Sequence, residues 1–279
     1  MLHPQRTLNC KGRLLTLDRP LVMGILNLTP DSFFEGSRVQ NGGGLLARAE
    51  QMLAEGADIL DIGGMSSRPG SDVISQEEEL KRVLPAIEAL HRHFPQAILS
   101  VDTVRASVAR QAVEAGASLV NDISAGRLDE AMYETVAALR VPYVLMHMQG
   151  TPRTMQQDPH YDDVVVEILD FFIAEMEKLR TLGVHDIILD PGFGFGKTLA
   201  HNYELLRGMQ AFQILEAPVL AGLSRKSMIT RLLGVSPAEA LNGTTALHLA
   251  ALQNGARILR VHDVKEAVEV VKIFQQLTP

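Results

Sequence analysis

The sequence predicts an α/β fold: a single (β/α)8 barrel, or TIM barrel, with an N-terminal β-hairpin. Three observations carry this. Short apolar segments alternate with helical periodicity eight times along the 279 residues. Gly56-Ala57, Gly116-Ala117 and Gly255-Ala256 each close a helical stretch just before a strand-like one, where glycine stops a helix. No Pro- or Ser-rich linker divides the chain, and a barrel of about 250 residues forms one domain. Residues 1–279 are therefore read as one domain; a small doubly wound sheet would need one unit fewer.

In chain order, residues 7–10 and 13–17 flank Lys11-Gly12, a two-residue hairpin turn, so residues 1–20 form a cover over one end of the domain. Strands are predicted at 22–28, 59–62, 98–101, 119–120, 143–146, 187–189, 219–221 and 258–261. Helices are predicted at 45–55, 76–93, 105–115, 130–139, 162–182, 203–212, 237–254 and 264–276. Ser75 with Glu78 and Asp263 with Glu266 read as capping boxes, and Ser236-Pro237 with Glu239 adds proline at the first helical position. Residues 29–44 and 63–75 have little pattern and are read as mobile active-site loops.

Composition narrows the class. The chain is 46% hydrophobic and 21% charged, ordinary for a soluble globular protein. A net charge of −7 argues against broad binding to nucleic acid or a membrane surface. One cysteine, Cys10, excludes an internal disulfide and suits a reducing cytoplasm. Neither a signal peptide nor an apolar run of membrane-spanning length is present.

In such a barrel, functional groups gather at the carboxyl ends of the strands. Those ends read Asn27, Gly63-Gly64, Asp102, Asn121-Asp122, His147, Asp190, Gly222 with Ser224, and Arg260 with His262. The densest is Asp190-Pro191-Gly192-Phe193-Gly194-Phe195-Gly196-Lys197, where an apolar strand opens into a glycine-rich aromatic loop. Gly222 to Ser227 follow strand seven, and Arg260 and His262 face the same way on strand eight, where barrels often bind phosphate. Asp102, Asp190 and Asn121 suit a ring with a 2-amino group beside a ring N–H, sandwiched by Phe195 or a methionine. A Mg²⁺ site is the rival reading of the same three residues, and Asn27 could instead give one oxygen to a Mg²⁺ held by diphosphate. No zinc spacing is present. His201 and His248 read as structural or surface residues, and His147 as a buried, hydrogen-bonded one.

Ordered motifs cover nearly the whole chain. They include Met23-Gly24-Ile25-Leu26-Asn27-Leu28-Thr29-Pro30-Asp31-Ser32-Phe33, Ser66-Ser67-Arg68-Pro69-Gly70, Ser100-Val101-Asp102-Thr103, Leu145-Met146-His147-Met148-Gln149-Gly150, Ser224-Arg225-Lys226-Ser227 and Arg260-Val261-His262-Asp263. By these the chain resembles the dihydropteroate synthases, the folate-pathway enzymes targeted by sulfonamides. The resemblance implies condensation of 6-hydroxymethyl-7,8-dihydropterin diphosphate with 4-aminobenzoate by SN1-like substitution, Mg²⁺ as cofactor, and a homodimer. It implies that Asp102, Asn121, Asp190 and Lys226 hold the pterin, lined by Met146 and Phe195, with Gly222 alongside. Asn27, Arg260 and His262 would hold the diphosphate, with Mg²⁺ at Asn27. Phe33, Ser67, Arg68, Pro69, Phe195 and Ser227 would frame the aminobenzoate. Asp102, Lys226, Arg260 and His262 are the expected catalytic set.

The chain departs from the family at Met65, usually Glu, at Ser67, commonly Thr, and at Glu35, where a shorter Asp is usual; a Glu35–Arg68 ion pair is the expectation there. Two other classes carry related barrels. A methyltetrahydrofolate-binding methyltransferase would not need the Asn27, Arg260 and His262 clamp. A non-catalytic paralogue would bind pterin without turnover.

Overall fold

The computed structural model describes residues 7–28, 43–65, 74–151 and 154–277. Phe33, Glu35, Ser67, Arg68 and Pro69 lie outside these residues, as does most of both predicted loops.

The hairpin pairs β1 (Thr7–Cys10) with β2 (Arg13–Thr16), Thr7 opposite Thr16. Its turn has Lys11 at φ 54° and Gly12 at φ 87°, the two positive values that a tight hairpin needs. Eight parallel strands then close a barrel: β3 (Leu21–Asn27), β4 (Ile59–Gly63), β5 (Ile98–Asp102), β6 (Leu119–Asp122), β7 (Tyr143–Met146), β8 (Ile187–Asp190), β9 (Val219–Ala221) and β10 (Ala256–Val261). β10 pairs with β3 to complete the ring. The surrounding helices are α1 (Gly43–Glu55), α2 (Gln76–His93), α3 (Ala106–Ala115), α4 (Met132–Leu139), α5 (Val164–Thr181), α6 (Leu199–Gly208), α7 (Ser227–Leu233), α8 (Leu241–Gln253) and α9 (Val264–Leu277). Among the described residues, no helix is long and apolar enough to cross a membrane. The helix stops at Gly56, Gly116 and Gly255 hold, at φ +104°, +129° and +97°.

The strand period of two sorts the barrel into layers. Val22, Leu60, Leu99, Val120, Leu145, Leu189, Ala221 and Leu259 face outward into the core beneath the helices. Met23, Ile59, Ile98, Leu119, Val144, Ile188, Leu220 and Ile258, one from each barrel strand, form a separate apolar floor inside the barrel. Leu8, Cys10 and Leu17 join that floor, so the hairpin plugs the amino-terminal end of the barrel. Burial, with Asp186 adding and Arg13 opposing, pushes the Cys10 thiol up to about 12, so it is an inert filler. Lys11 Nζ bonds Val113 O at 2.8 Å and Asn9 N bonds Asp186 Oδ2 at 3.2 Å, fastening the plug.

Four sequence expectations need correction. The helix expected at 203–212 is α6, Leu199–Gly208, and Met209–Leu215 is a 3-10 stretch. α7 was not foreseen: seven residues span barely two turns, too few for a helical period to stand out. The helix expected at 237–254 begins instead as a 3-10 turn, Pro237–Glu239, and α8 starts at Leu241. Arg225 takes the carbonyls of Pro237 and Ala238 at 2.6 and 2.8 Å, drawing them away from α-helical partners. Asp263 precedes α9 with its carbonyl accepting from Ala267 N at 3.2 Å, but its side chain gives both carboxylate oxygens to Arg225, each at 2.8 Å, in place of the expected side-chain cap. By contrast Ser75 does cap α2, accepting from Glu78 N at 3.2 Å.

Candidate active site

Two residues beyond the floor, each strand offers its next inward position: Ile25, Asp61, Ser100, Asn121, Met146, Asp190, Gly222 and Arg260. Two further on come Asn27, Gly63, Asp102, Ile123, Met148, Gly192, Ser224 and His262. The same backbone period that builds the apolar floor thus delivers polar groups to the carboxyl-terminal mouth.

Arg260 spans that mouth. Its Nε donates to Asp61 Oδ2 and its Nη2 to Asp102 Oδ2, both at 2.6 Å. Asn121 Nδ2 reaches the same Asp61 oxygen at 3.0 Å. Two carboxylates therefore share one guanidinium, and negative charge is in excess. Asp102 is pushed up to about 7, by burial first, with Arg260 opposing and Asp61, Glu79 and Asp122 adding. Burial would lower Arg260, but Asp61 and Asp102 hold it above its ordinary value.

Asp61 was not among the expected site residues. It is fully buried within an otherwise apolar strand, Ile-Leu-Asp-Ile-Gly, and its Oδ1 has no hydrogen-bond partner among the described residues. The signal was available: a charge inside a buried strand needs a partner. Strand-end reasoning passed over it because it lies two residues before the end.

On the opposite wall, Asp190 is held by Gly192 N donating to its Oδ1 at 2.8 Å. Burial raises its pKa, while Lys226, Gly192 N, Arg260 and Lys197 oppose the rise. Lys226 Nζ donates to Phe193 O at 2.5 Å and lies 4.7 Å from the centre of the Phe195 ring. Burial brings Lys226 down to about 8, against Asp190, which raises it, and with Arg260, which lowers it. A carbon added at Gly222 would stand 3.7 Å from Lys226 Nζ and 3.9 Å from Asp190 Oδ2, so the bare glycine leaves both groups open. Met146, Met148, Met155, Phe195, Val104 and Ile123 form an apolar wall beside them, with Met65 packed against it. Soft thioethers and one aromatic ring suit the faces of a flat heterocycle.

Ser224 Oγ lies 3.0 Å from His262 Nδ1 and accepts from His262 N at 3.2 Å, fixing the imidazole at the rim. Arg225, in the predicted anion loop, is a strut tied to Asp263. Ser227 is the exposed first residue of α7. Asp122 turns out of the barrel and accepts from Ser124, Gly126 and Tyr143, so it belongs to the scaffold. His147 is buried, as expected, with Nδ1 3.1 Å from Lys197 Nζ; burial, then Lys197 and Arg127, bring it down to about 2. His201 completes a capping box with Thr198, and His248 is buried in α8.

A carbon added at Gly63 would touch Asp102 Oδ2 at 3.6 Å and Asn27 Oδ1 at 3.7 Å, so these groups flank the same spot at the rim. Among the described residues, no three acidic, histidine or cysteine side chains form a metal-binding group. That donor set fits Mg²⁺ as an ion held mostly by a ligand's phosphates and water, with Asn27 as one oxygen donor.

The chain matches the family described as pterin binding enzyme over residues 23–262. It is 45% identical over 267 residues to a dihydropteroate synthase of Escherichia coli (strain K12), covering 95% of this chain and 94% of that protein. A solved dihydropteroate synthase from Xanthomonas albilineans with 4-aminobenzoic acid superposes with a TM-score of 0.90 at 45% identity, covering 98% of each chain. Another from that organism, in complex with 7,8-dihydropteroate, gives a TM-score of 0.87 at 44% identity, covering 97% of this chain and 98% of that one.

Proposed function

The chain belongs to the pterin-binding enzyme family, and from that premise we propose that it is a dihydropteroate synthase. It condenses 6-hydroxymethyl-7,8-dihydropterin diphosphate with 4-aminobenzoate, giving 7,8-dihydropteroate and diphosphate in folate synthesis. The observation that carries this is the layout of the mouth. Asp102 and Asp190 lie on opposite walls with Asn121 between them in the ring, and Arg260 and His262 stand at the adjoining rim.

The pterin lies below, with its amino and ring N–H donors on Asp102, Asp190 and Asn121, Lys226 beside its carbonyl, and Met146 and Phe195 on its faces. Gly222 leaves room for its edge. The diphosphate lies above, on Asn27, Arg260 and His262. Mg²⁺, held at Asn27 and by the phosphates, would supply positive charge to the leaving group.

The reaction breaks the bond between the methylene carbon and the diphosphate oxygen, and both electrons leave with diphosphate. Arg260 and His262 neutralise that growing charge. Positive charge spreads from the methylene into the pterin, where the Asp102 carboxylate stabilises it. The amine of 4-aminobenzoate then forms the C–N bond and releases a proton. Exclusion of water protects the cation. Phe33, Ser67, Arg68 and Pro69, with Phe195 and Ser227, frame the aminobenzoate by family resemblance, and sulfonamides would compete there.

The protein works as a homodimer in the cytoplasm. Leu232 and Leu233 on α7 and Ile273 and Leu277 on α9 are each more than half exposed, which supports association through the later helices. Sedimentation at micromolar concentration tests this, and a monomer would remove the dimer.

The decisive assay follows diphosphate release and dihydropteroate formation with and without 4-aminobenzoate. A methyltransferase would release no diphosphate. A binding paralogue would give heat of pterin binding and no product.

A further inference from the structure

We propose that Lys197 is a positioning residue of this reaction: its ammonium ties together the loop that carries Phe193 and Phe195, and through them holds Lys226 against the pterin. The inference rests on the synthase reading for its chemistry, but its geometry stands alone.

Lys197 is 3% exposed. Its Nζ lies 3.0 Å from Gly192 O, 3.0 Å from Phe195 O and 3.1 Å from His147 Nδ1, so each of its three donors has a partner. Gly192 and Phe195 are the two ends of one turn, closed by Phe195 N donating to Gly192 O at 3.0 Å. Lys197 therefore grips both ends of that turn from inside. The turn's other products face the site: the Phe193 carbonyl takes the Lys226 ammonium, and the Phe195 ring lies under it.

The loop is also seated on β7. A carbon added at Gly192 would fall 1.9 Å from His147 O, and that glycine has φ +70°. Outside ties hold the far side: Gly194 N donates to Asn202 Oδ1 at 2.7 Å, and Tyr161 Oη donates to Gly196 O at 2.8 Å. Lys197 supplies the inner tie. Burying an ammonium costs several kcal/mol, and a leucine would fill the space without that cost. What the leucine lacks is the donor for the buried Phe195 carbonyl, which would then be unpaired, and the second donor that Gly192 O takes beside Phe195 N. Sequence reading treated Lys197 as the end of a motif. Its role depends on carbonyl directions, which residue spacing does not reveal.

The test is a double-mutant cycle with Lys197→Met and Lys226→Ala in the full-length protein. Each of the four proteins is assayed for dihydropteroate formation and, by calorimetry, for binding of 6-hydroxymethylpterin. We expect Lys197→Met alone to lower kcat about 30-fold and pterin affinity about 10-fold, but to lower either by less than about 3-fold when Lys226 is already Ala. A residue that only supports the fold would act equally on both backgrounds. Equal losses, or a folded Lys197→Met protein with unchanged kcat and pterin affinity, would overturn the proposal. If Lys197→Met does not fold, Lys197→Gln, which keeps a donor for one carbonyl, takes its place in the same cycle. A wild type that binds pterin without forming product would defeat the synthase reading, while the coupling would still be read from the affinities.

Discussion

The floor and the mouth of this barrel are made by the same eight strands, one side-chain repeat apart. At Ile59, Ile98, Val144, Ile188, Leu220 and Ile258 the inward positions are apolar and nearly free of solvent. Two residues on, the same strands present Asp61, Ser100, Met146, Asp190, Gly222 and Arg260. The floor gains free energy by excluding water and has no directional demand beyond shape. The mouth gives some of that up, because buried charges must each find partners in fixed directions. The difference teaches that stability and chemistry are divided along the barrel axis. Each prediction below asks whether that division holds.

Asp102→Ala should cause the largest change, lowering kcat by about 10³-fold by removing the carboxylate that faces the developing cation. Thermal unfolding should confirm that the protein remains folded; a folded variant with near-normal turnover would take Asp102 out of the chemistry. At the floor, Ile188→Ala should cost about 3 kcal/mol of unfolding free energy in a denaturant titration. Its kcat below the unfolding transition should be nearly unchanged. A large kcat loss there would break the division between the two layers.

Asp61→Asn should fall between these. It keeps the shape but removes a charge that Arg260 and Asn121 both grip. We expect a kcat/KM for the pterin diphosphate lower by roughly 30-fold, with the KM for 4-aminobenzoate little changed. Steady-state kinetics with each substrate varied in turn would show the split, and equal effects on both would argue for general distortion. The same geometry bears on Arg260→Ala. Because Arg260 neutralises Asp61 and Asp102, its loss should weaken bare pterin as well as diphosphate-dependent binding.

A pH series is subtler. Asp102 is raised to about 7 by burial, with Arg260 opposing. In the proposed pose its ionised form would accept pterin N–H donors, so binding of bare pterin should weaken about 10-fold as pH falls from about 8 to about 6. The linkage to stability has the opposite direction. The folded pKa lies above the unfolded value, so this group costs folding free energy as pH rises from about 4 through about 7. Calorimetric titrations at intervals between about pH 8 and about pH 6 test the first point, and flat affinity would contradict it. Smallest of all, Lys11→Met removes the tie to Val113 O and should cost about 1 kcal/mol without altering kcat.

Most of the scaffold was legible in the sequence. Strand positions, helix-stopping glycines and the hairpin turn depend on local rules: a period of two, a period near 3.6, and positive φ at glycine. α7 escaped because it is short, and the start of α8 because Arg225 diverts its carbonyls. Among site residues, Asp102, Asn121, Asp190, Arg260 and His262 stood at strand ends and could be read there. Asp61 was passed over because it stands mid-strand, although a charge buried there signals a partner, and Lys197 could not be read because it lies beyond the strand in a loop.

By itself, then, the order of residues determined a closed parallel barrel, its apolar floor, and the set of polar groups delivered to one mouth, because alternation along a strand follows from backbone geometry alone. Only the tertiary structure decided which of those groups meet. Arg260 pairs with Asp61 and Asp102 across 199 and 158 residues of chain, and Lys197 joins two carbonyls of its own loop to the His147 ring that follows β7. Hydrogen bonds depend on distance and direction in space, and ring closure brings together what the chain keeps far apart.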